Sequence, residues 1–329
     1  MRRALLVSSL SLLLFLPLAA SAQAIGSMDA FTVTVDPQYP APQSQAALSA
    51  VSSTLDLTGA TMVVLVAGKE IYRGNVQPIA IPLGKAGSVT AVVVTMLAGG
   101  TSYSQTLSIQ PQDVVLIAEP ISSSPPLYPG KSLVPLEGDV RVVAMASLRD
   151  AKGKVVDPST YSYAWTVDGA QIARASGIGK DTILVASPLQ YRSRSVSVAV
   201  AGPGGSLVGG AALSLTPSEP LVRIYENDPL LGIRYERALP GSYSITDTEK
   251  TLYAAPFSFP TTGGVPFLEW FLNGSTAQTG SSITLRPTGS GEGSASLSLT
   301  ASAGESARAT TDLSLSFGAA AGGFNFFGL

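Results

Sequence analysis

A chain of 329 residues with no cysteine and no histidine must do any chemistry with Asp, Glu, Tyr, Lys, Arg, Ser and Thr. The two absences remove thiolate nucleophiles, Ser-His-Asp relays, histidine bases and the usual zinc and iron–sulfur ligands. Carboxylate pairs remain, and could act as acid and base in the manner of a glycosidase. No spacing concentrates them, however. Paired glycines fall where hairpins close, not where a phosphate-cradling loop would open a helix. The residue types therefore point to a non-enzymatic protein without a cofactor, with a carboxylate-based hydrolase as the weakest alternative.

Binding is the better-supplied chemistry. Charged residues make up only 13% of the chain, with 20 Lys and Arg against 22 Asp and Glu. No basic stripe is present to neutralise nucleic-acid phosphates. The densest charged and aromatic stretch is 223–237, with Arg223, Tyr225, Arg234, Tyr235 and Arg237. Tyr and Arg are the types enriched at binding hot spots. The same stretch also reads as an opening strand whose polar face packs on the preceding domain. Within it, Glu226, Asn227 and Asp228 suggest a calcium site at a domain junction, but they supply too few oxygens for the six to eight needed. At 318–329 an Ala/Gly spacer leads into Phe324, Phe326 and Phe327. It reads either as a frayed end or as an apolar docking peptide that adds to an edge or pocket elsewhere.

These groups must be positioned by strands. From residue 30 onward the segments alternate with period two and are β-branched, as in Phe31 to Val35, Ser88 to Met96, Arg141 to Leu148, Ser195 to Ala201 and Ser294 to Ala301. Three hairpins of one type recur at Ser88–Pro111, Ser195–Pro217 and Ser294–Phe317. Each turns through small residues and returns reading Leu-Ser-Leu or Leu-Ser-Ile. Three strands running into a Pro-containing stretch open the copies, at Phe31, Asp113 and Pro220. The boundaries lie near 112 and 218, giving domains 25–112, 113–217 and 218–317.

The only two tryptophans occupy matching stretches, "YSYAWTVDG" and "PFLEWFLNG". Each Trp is four residues before a Gly, and Val64 holds that place before Gly68 in the first copy. Alternation puts Tyr161, Tyr163 and Trp165 on one face, and Leu268, Trp270 and Leu272 on another. That phase favours a core position over a sugar platform, so a carbohydrate-binding module is the alternative reading. Asn273-Gly274-Ser275 matches a glycosylation acceptor but reads first as a tight turn.

Arg2-Arg3, the apolar run from Ala4 to Leu16 and small-x-small sites at Ala20-Ser21-Ala22 and Ala22-Gln23-Ala24 mark residues 1–24 as a signal peptide. Without cleavage it would be a membrane anchor. The expected location is exported, at the cell surface or outside the cell.

"YAWTVDG" resembles the central strand and turn of bacterial immunoglobulin-like domains, including the polycystic-kidney-disease type with its Tyr-x-Trp signature, here Tyr163 and Trp165. Trp270 matches more loosely, with Leu268 in the Tyr place. The whole chain, including "VRIYENDPLLGIRYE" and "NFFGL", also resembles exported Ig-like proteins of small-genome candidate-phylum bacteria. The resemblance implies an all-β chain of three tandem Ig-like β-sandwiches. Its expected role is a spacer or adhesion module with a protein partner at the cell envelope, such as a surface or pilus-type assembly.

Overall fold

A computed structural model of the chain describes residues 30–288 and 292–318. The expected signal peptide and Phe324, Phe326 and Phe327 lie outside the described residues. Among the described residues no helix is long and apolar enough to cross a membrane. The chain divides into two compact units. One holds residues 30–37, 45–84 and 89–110; the other holds 38–44, 85–88 and 111–318.

The first unit is a pair of sheets. Its strands are β1 (Thr32–Asp36), β2 (Gln45–Val51), β3 (Thr61–Val66), β4 (Lys69–Asn75), β5 (Ile79–Pro82), β6 (Thr90–Ala98) and β7 (Thr101–Ile109). One sheet runs β1-β2-β5 and the other β4-β3-β6-β7. Val33, Leu48 and Ile81 of the first meet Met62, Val64, Val92 and Val94 of the second in one buried core. Alternation explains this: each strand turns every second side chain inward.

The second unit repeats the plan twice. The first repeat has β8 (Asp113–Pro120), β9 (Asp139–Ser147), β10 (Ser162–Val167), β11 (Ala170–Gln171), β12 (Gly177–Ile178), β13 (Thr182–Ala186), β14 (Arg194–Ala201) and β15 (Val208–Leu215). Its sheets run β13-β9-β8 and β11-β10-β14-β15, with β12 also on β10. The second repeat has β16 (Leu221–Asp228), β17 (Gly232–Ile233), β18 (Ser242–Ile245), β19 (Lys250–Phe257), β20 (Phe267–Leu272), β21 (Ser275–Thr279), β22 (Ser282–Leu285), β23 (Gly293–Ala303) and β24 (Ala307–Phe317). Its sheets run β17-β16-β19-β22 and β18-β24-β23-β20-β21. Each repeat has its own core. In immunoglobulin lettering all three are A-B-E packed on C′-C-F-G, so the fold is all-β and Ig-like. The hairpins at β6–β7, β14–β15 and β23–β24 are the recurring hairpins of the sequence.

The tryptophans are core residues. Val64, Trp165 and Trp270 are fully buried at the same place in β3, β10 and β20. They pair across to Val94, Val198 and Leu299. The indole nitrogens of Trp165 and Trp270 donate to the carbonyls of Lys180 at 2.8 Å and Gly280 at 2.9 Å, so neither is left unsatisfied. Tyr161 is buried too; its hydroxyl accepts from the Leu148 amide and donates to the Val156 carbonyl.

Each of these strands ends in the same two-residue hairpin. Ala67-Gly68, Asp168-Gly169 and Asn273-Gly274 all have positive φ at both positions, near 50° and then near 80°. That is what a type I′ turn demands, and it explains the Gly in every copy. The carboxylate of Asp168 and the carboxamide of Asn273 each accept from a backbone amide of the next hairpin, Ser195 and Ser296, both at 2.9 Å. Ala67 has the matching backbone bond to the Ala91 carbonyl, but no side chain to add one.

Three changes follow from this comparison. Ala67→Asn supplies a residue that tolerates the left-handed conformation and an acceptor for the neighbouring strand, and should stabilise its unit by about 0.5–1 kcal/mol. Asn273→Ala should destabilise by about 1 kcal/mol. Asp168→Ala should cost more, because Asp168 also pairs with Arg194 at 3.0 Å. Denaturant melts of the three variants give the order directly.

Candidate functional site

The stretch that sequence singled out, 223–237, is strand β16 followed by a fold-back segment. β16 hydrogen-bonds β19 on one side and β17 at its end. Asp228 closes the turn between β16 and β17: its carboxylate accepts from the Leu230 and Leu231 amides at 2.8 and 2.9 Å. Those bonds hold the Asp228 carboxyl below its usual range. The chain then returns along β16, with the Arg234 amide donating to the Glu226 carbonyl and the Leu239 amide to the Ile224 carbonyl.

This fold-back buries the aromatic part of the stretch. Tyr225 is only 5% exposed. It points to the outer face of the β16-β19-β22 sheet, where Tyr235 covers it with ring centres 5.3 Å apart. Tyr235 also meets Tyr253 edge-on at 6.3 Å. Tyr128 comes from the long loop between β8 and β9 and packs edge-on against Phe257 at 5.0 Å and Tyr235 at 5.8 Å. Tyr225 is thus a packing residue beneath a lid of two tyrosines, not a free contact. Arg223 and Arg237 are exposed, and neither forms an ion pair among the described residues. Arg234 is tied to Glu236.

The acidic residues have partners of their own. Glu226 is paired with Lys250, which Asp247 also approaches at 3.3 Å. The hydrogen bond to Glu226 raises the Lys250 ammonium above its ordinary range. No group of three acidic residues able to hold a metal ion occurs among the described residues.

The loop carrying Tyr128 also locks the two repeats of the second unit together. The Ser123 amide donates to the Phe259 carbonyl at 2.7 Å, and the Phe259 amide to the Ser123 hydroxyl at 3.1 Å. The Ser258 amide donates to the Ser123 carbonyl, and the Ser258 hydroxyl reaches the Ser218 carbonyl at 3.1 Å. Phe259 is fully buried and belongs to the core of the last repeat. Ser123 and Ser258 are buried polar residues, and these bonds satisfy them.

Sequence reasoning missed a second surface. The outer face of the β13-β9-β8 sheet carries Val115, Ile117, Met145 and Leu184, exposed by 53, 41, 59 and 56%. Val115 lies opposite Met145, Ile117 opposite Val143, and Leu184 opposite Arg141. Val115, Met145, Ile117 and Val143 thus share one apolar area, and Leu184 flanks it across Arg141, which pairs with Glu119 in the same row. The segment "DVVLIAEP" hides this, because a run apolar on both phases does not say which face is covered.

No family model and no curated protein matches the chain. Among solved structures it is similar to three N-terminal domains of the highly immunogenic outer capsid protein of bacteriophage RB49, at 12% identity and a TM-score of 0.25, covering 87% of this chain and 99% of that one. It is similar to the central fibronectin-III array of RIM-binding protein, at 10% identity and a TM-score of 0.28, covering 85% and 93%. It is also similar to fibronectin(III)-like modules of CbhA from Clostridium thermocellum, at 15% identity and a TM-score of 0.22, covering 57% and 94%. The strand pairing above, not these likenesses, carries the fold assignment.

Two outcomes test the aromatic lid and the lock. The Tyr235 hydroxyl is shut off from solvent and has no hydrogen-bond partner of good geometry. Burial first, then the Tyr253 ring and hydroxyl, push it from 10.0 up to about 12. A raised value means the stabilising effect of keeping Tyr235 neutral is whole below about pH 10 and lost as pH rises through about 12. Ultraviolet titration of tyrosinate should show a late step near pH 12 that Tyr235→Phe removes. That change should leave neutral-pH stability equal or higher by up to about 1 kcal/mol, since a poorly paired buried hydroxyl goes. Phe259→Ala should cost about 3–5 kcal/mol and split the melting of the second unit into two transitions.

Proposed function

We propose that the chain is an exported, non-enzymatic spacer and protein-binding module that acts in an assembly at the cell envelope. The observation that carries this reading is the division of labour in the second unit. Two sandwiches are locked by buried serine bonds and a shared aromatic lid, while an apolar sheet face stays uncovered among the described residues. A stiff module with one open apolar face suits a protein that holds partners at a fixed spacing. Exposed Arg223 and Arg237 form a polar contact area, and Phe324, Phe326 and Phe327 form the docking segment. The Tyr163-x-Trp165 signature supports placing the first repeat of the second unit with the polycystic-kidney-disease type. The sugar-platform alternative loses its tryptophans, since both indoles are buried.

Cell fractionation tests the proposal. The chain should be retained with the envelope, and deletion of residues 324–329 should release it. Recovery of the intact chain only as a freely diffusing monomer in the medium overturns the reading.

A further inference from the structure

We infer that the apolar face of the β13-β9-β8 sheet is the dock for the Phe324–Leu329 segment of a second copy of this chain. The inference rests on the assembly reading above and names the partner. Its first support is internal. The β16-β19-β22 sheet is the equivalent element of the next repeat, and its outer face is also apolar and aromatic, with Tyr225, Tyr253 and Phe257. There the chain itself covers the face, with two short segments that each contribute one aromatic ring, Tyr128 and Tyr235. This fold therefore covers such a face with short ring-bearing segments. The β13-β9-β8 face has the same place in its repeat, and no such ring-bearing segment covers it among the described residues.

Size selects the same kind of occupant. Three strands about 4.8 Å apart, with the apolar residues spread over five rows from Leu184 to Met145, give a patch of roughly 240 Å². A stable contact between two folded proteins buries about 800 Å² on each side. The face is too small to pair by itself with another sheet and matches one extended peptide of about six residues. The chain contains one segment of that length with three phenylalanines, "FNFFGL", Phe324 to Leu329. In an extended strand Phe324 and Phe326 share one side, at the period that meets alternate rows of a sheet.

Reach requires a second copy. β24 begins beside the locked junction, where Ser306 meets Glu137, and runs 11 residues away from it to Phe317. At about 3.3 Å per residue that is roughly 35 Å. β9 carries the apolar face in the opposite direction from the junction, with Val143 roughly 20 Å past Glu137. Phe326 lies nine residues beyond Phe317 and extends at most about 32 Å. That reach is shorter than the path back to the face on the same chain, so the inference assigns the segment to the face of another copy. The contact joins unlike surfaces, segment to face, so it is heterologous and either closes as a ring of copies or propagates head to tail.

Sedimentation of the purified full chain tests this. The average mass should climb with concentration above that of the monomer. Met145→Lys with Leu184→Lys alters only exposed side chains and should return the chain to monomer, as should Phe324→Ser with Phe326→Ser and Phe327→Ser. Unchanged tryptophan fluorescence shows that each variant is folded. The decisive arm mixes the two variants: one keeps a segment and the other a face, so the mixture should form dimers and nothing larger. Monomers at every concentration, association that ignores either set of changes, or a mixture that stays monomeric overturns the inference. A chain that is monomeric here yet held at the envelope in cells would sink only this inference. A chain that associates here yet diffuses freely in the medium would sink only the envelope reading.

Discussion

The pairing of the central strand of each sandwich with the strand after it, over one fully buried side chain, is the constraint on which the rest depends. Trp165 against Val198, Trp270 against Leu299 and Val64 against Val94 set the register of the larger sheet in each copy. A one-residue slip would turn each buried side chain to solvent. The type I′ turns fix that register from one end, and in two of the three a side chain, Asp168 or Asn273, pins the following hairpin. With no cysteine to form a disulfide, burial and turn geometry supply this specification. Trp costs more to misplace than Val because it buries about 150–250 Å².

Much of this was legible in the sequence, for local reasons. The Asp-Gly and Asn-Gly pairs, the Trp four residues before Gly and the Leu-Ser-Leu return strands are short-range signals, and the structure uses each as read. The equivalence of Val64 with the tryptophans came from its distance to Gly68. A shared irregularity supports it: pairing with the next strand shifts immediately after Val64 and again after Trp270. The shortest strands, β11, β12 and β17, carry no pattern, being two residues long.

The interaction surfaces were less legible, because cover is a long-range property. Tyr225 looks like a contact residue in its own segment. Its burial depends on Tyr235 and on the loop bearing Tyr128, which is supplied by a different sandwich. Val115 and Ile117 look like ordinary strand residues, and they are exposed because no segment among the described residues covers them. Alternation says that a strand has two faces. It cannot say that one outer face receives a lid and its equivalent does not.

The loop between β8 and β9 also governs how this chain can be rearranged as parts. A self-contained sandwich can be copied, deleted or moved next to a stranger without harm. The last sandwich cannot, since the Phe259 backbone both donates to and accepts from its neighbour's Ser123, and its aromatic outer face is partly roofed by its neighbour's Tyr128. Cut between Leu215 and Leu221, it would carry a sticky face and unpaired backbone. The two sandwiches of the second unit therefore form one heritable cassette, and a recombination that respects strand boundaries but separates them would yield an insoluble fragment.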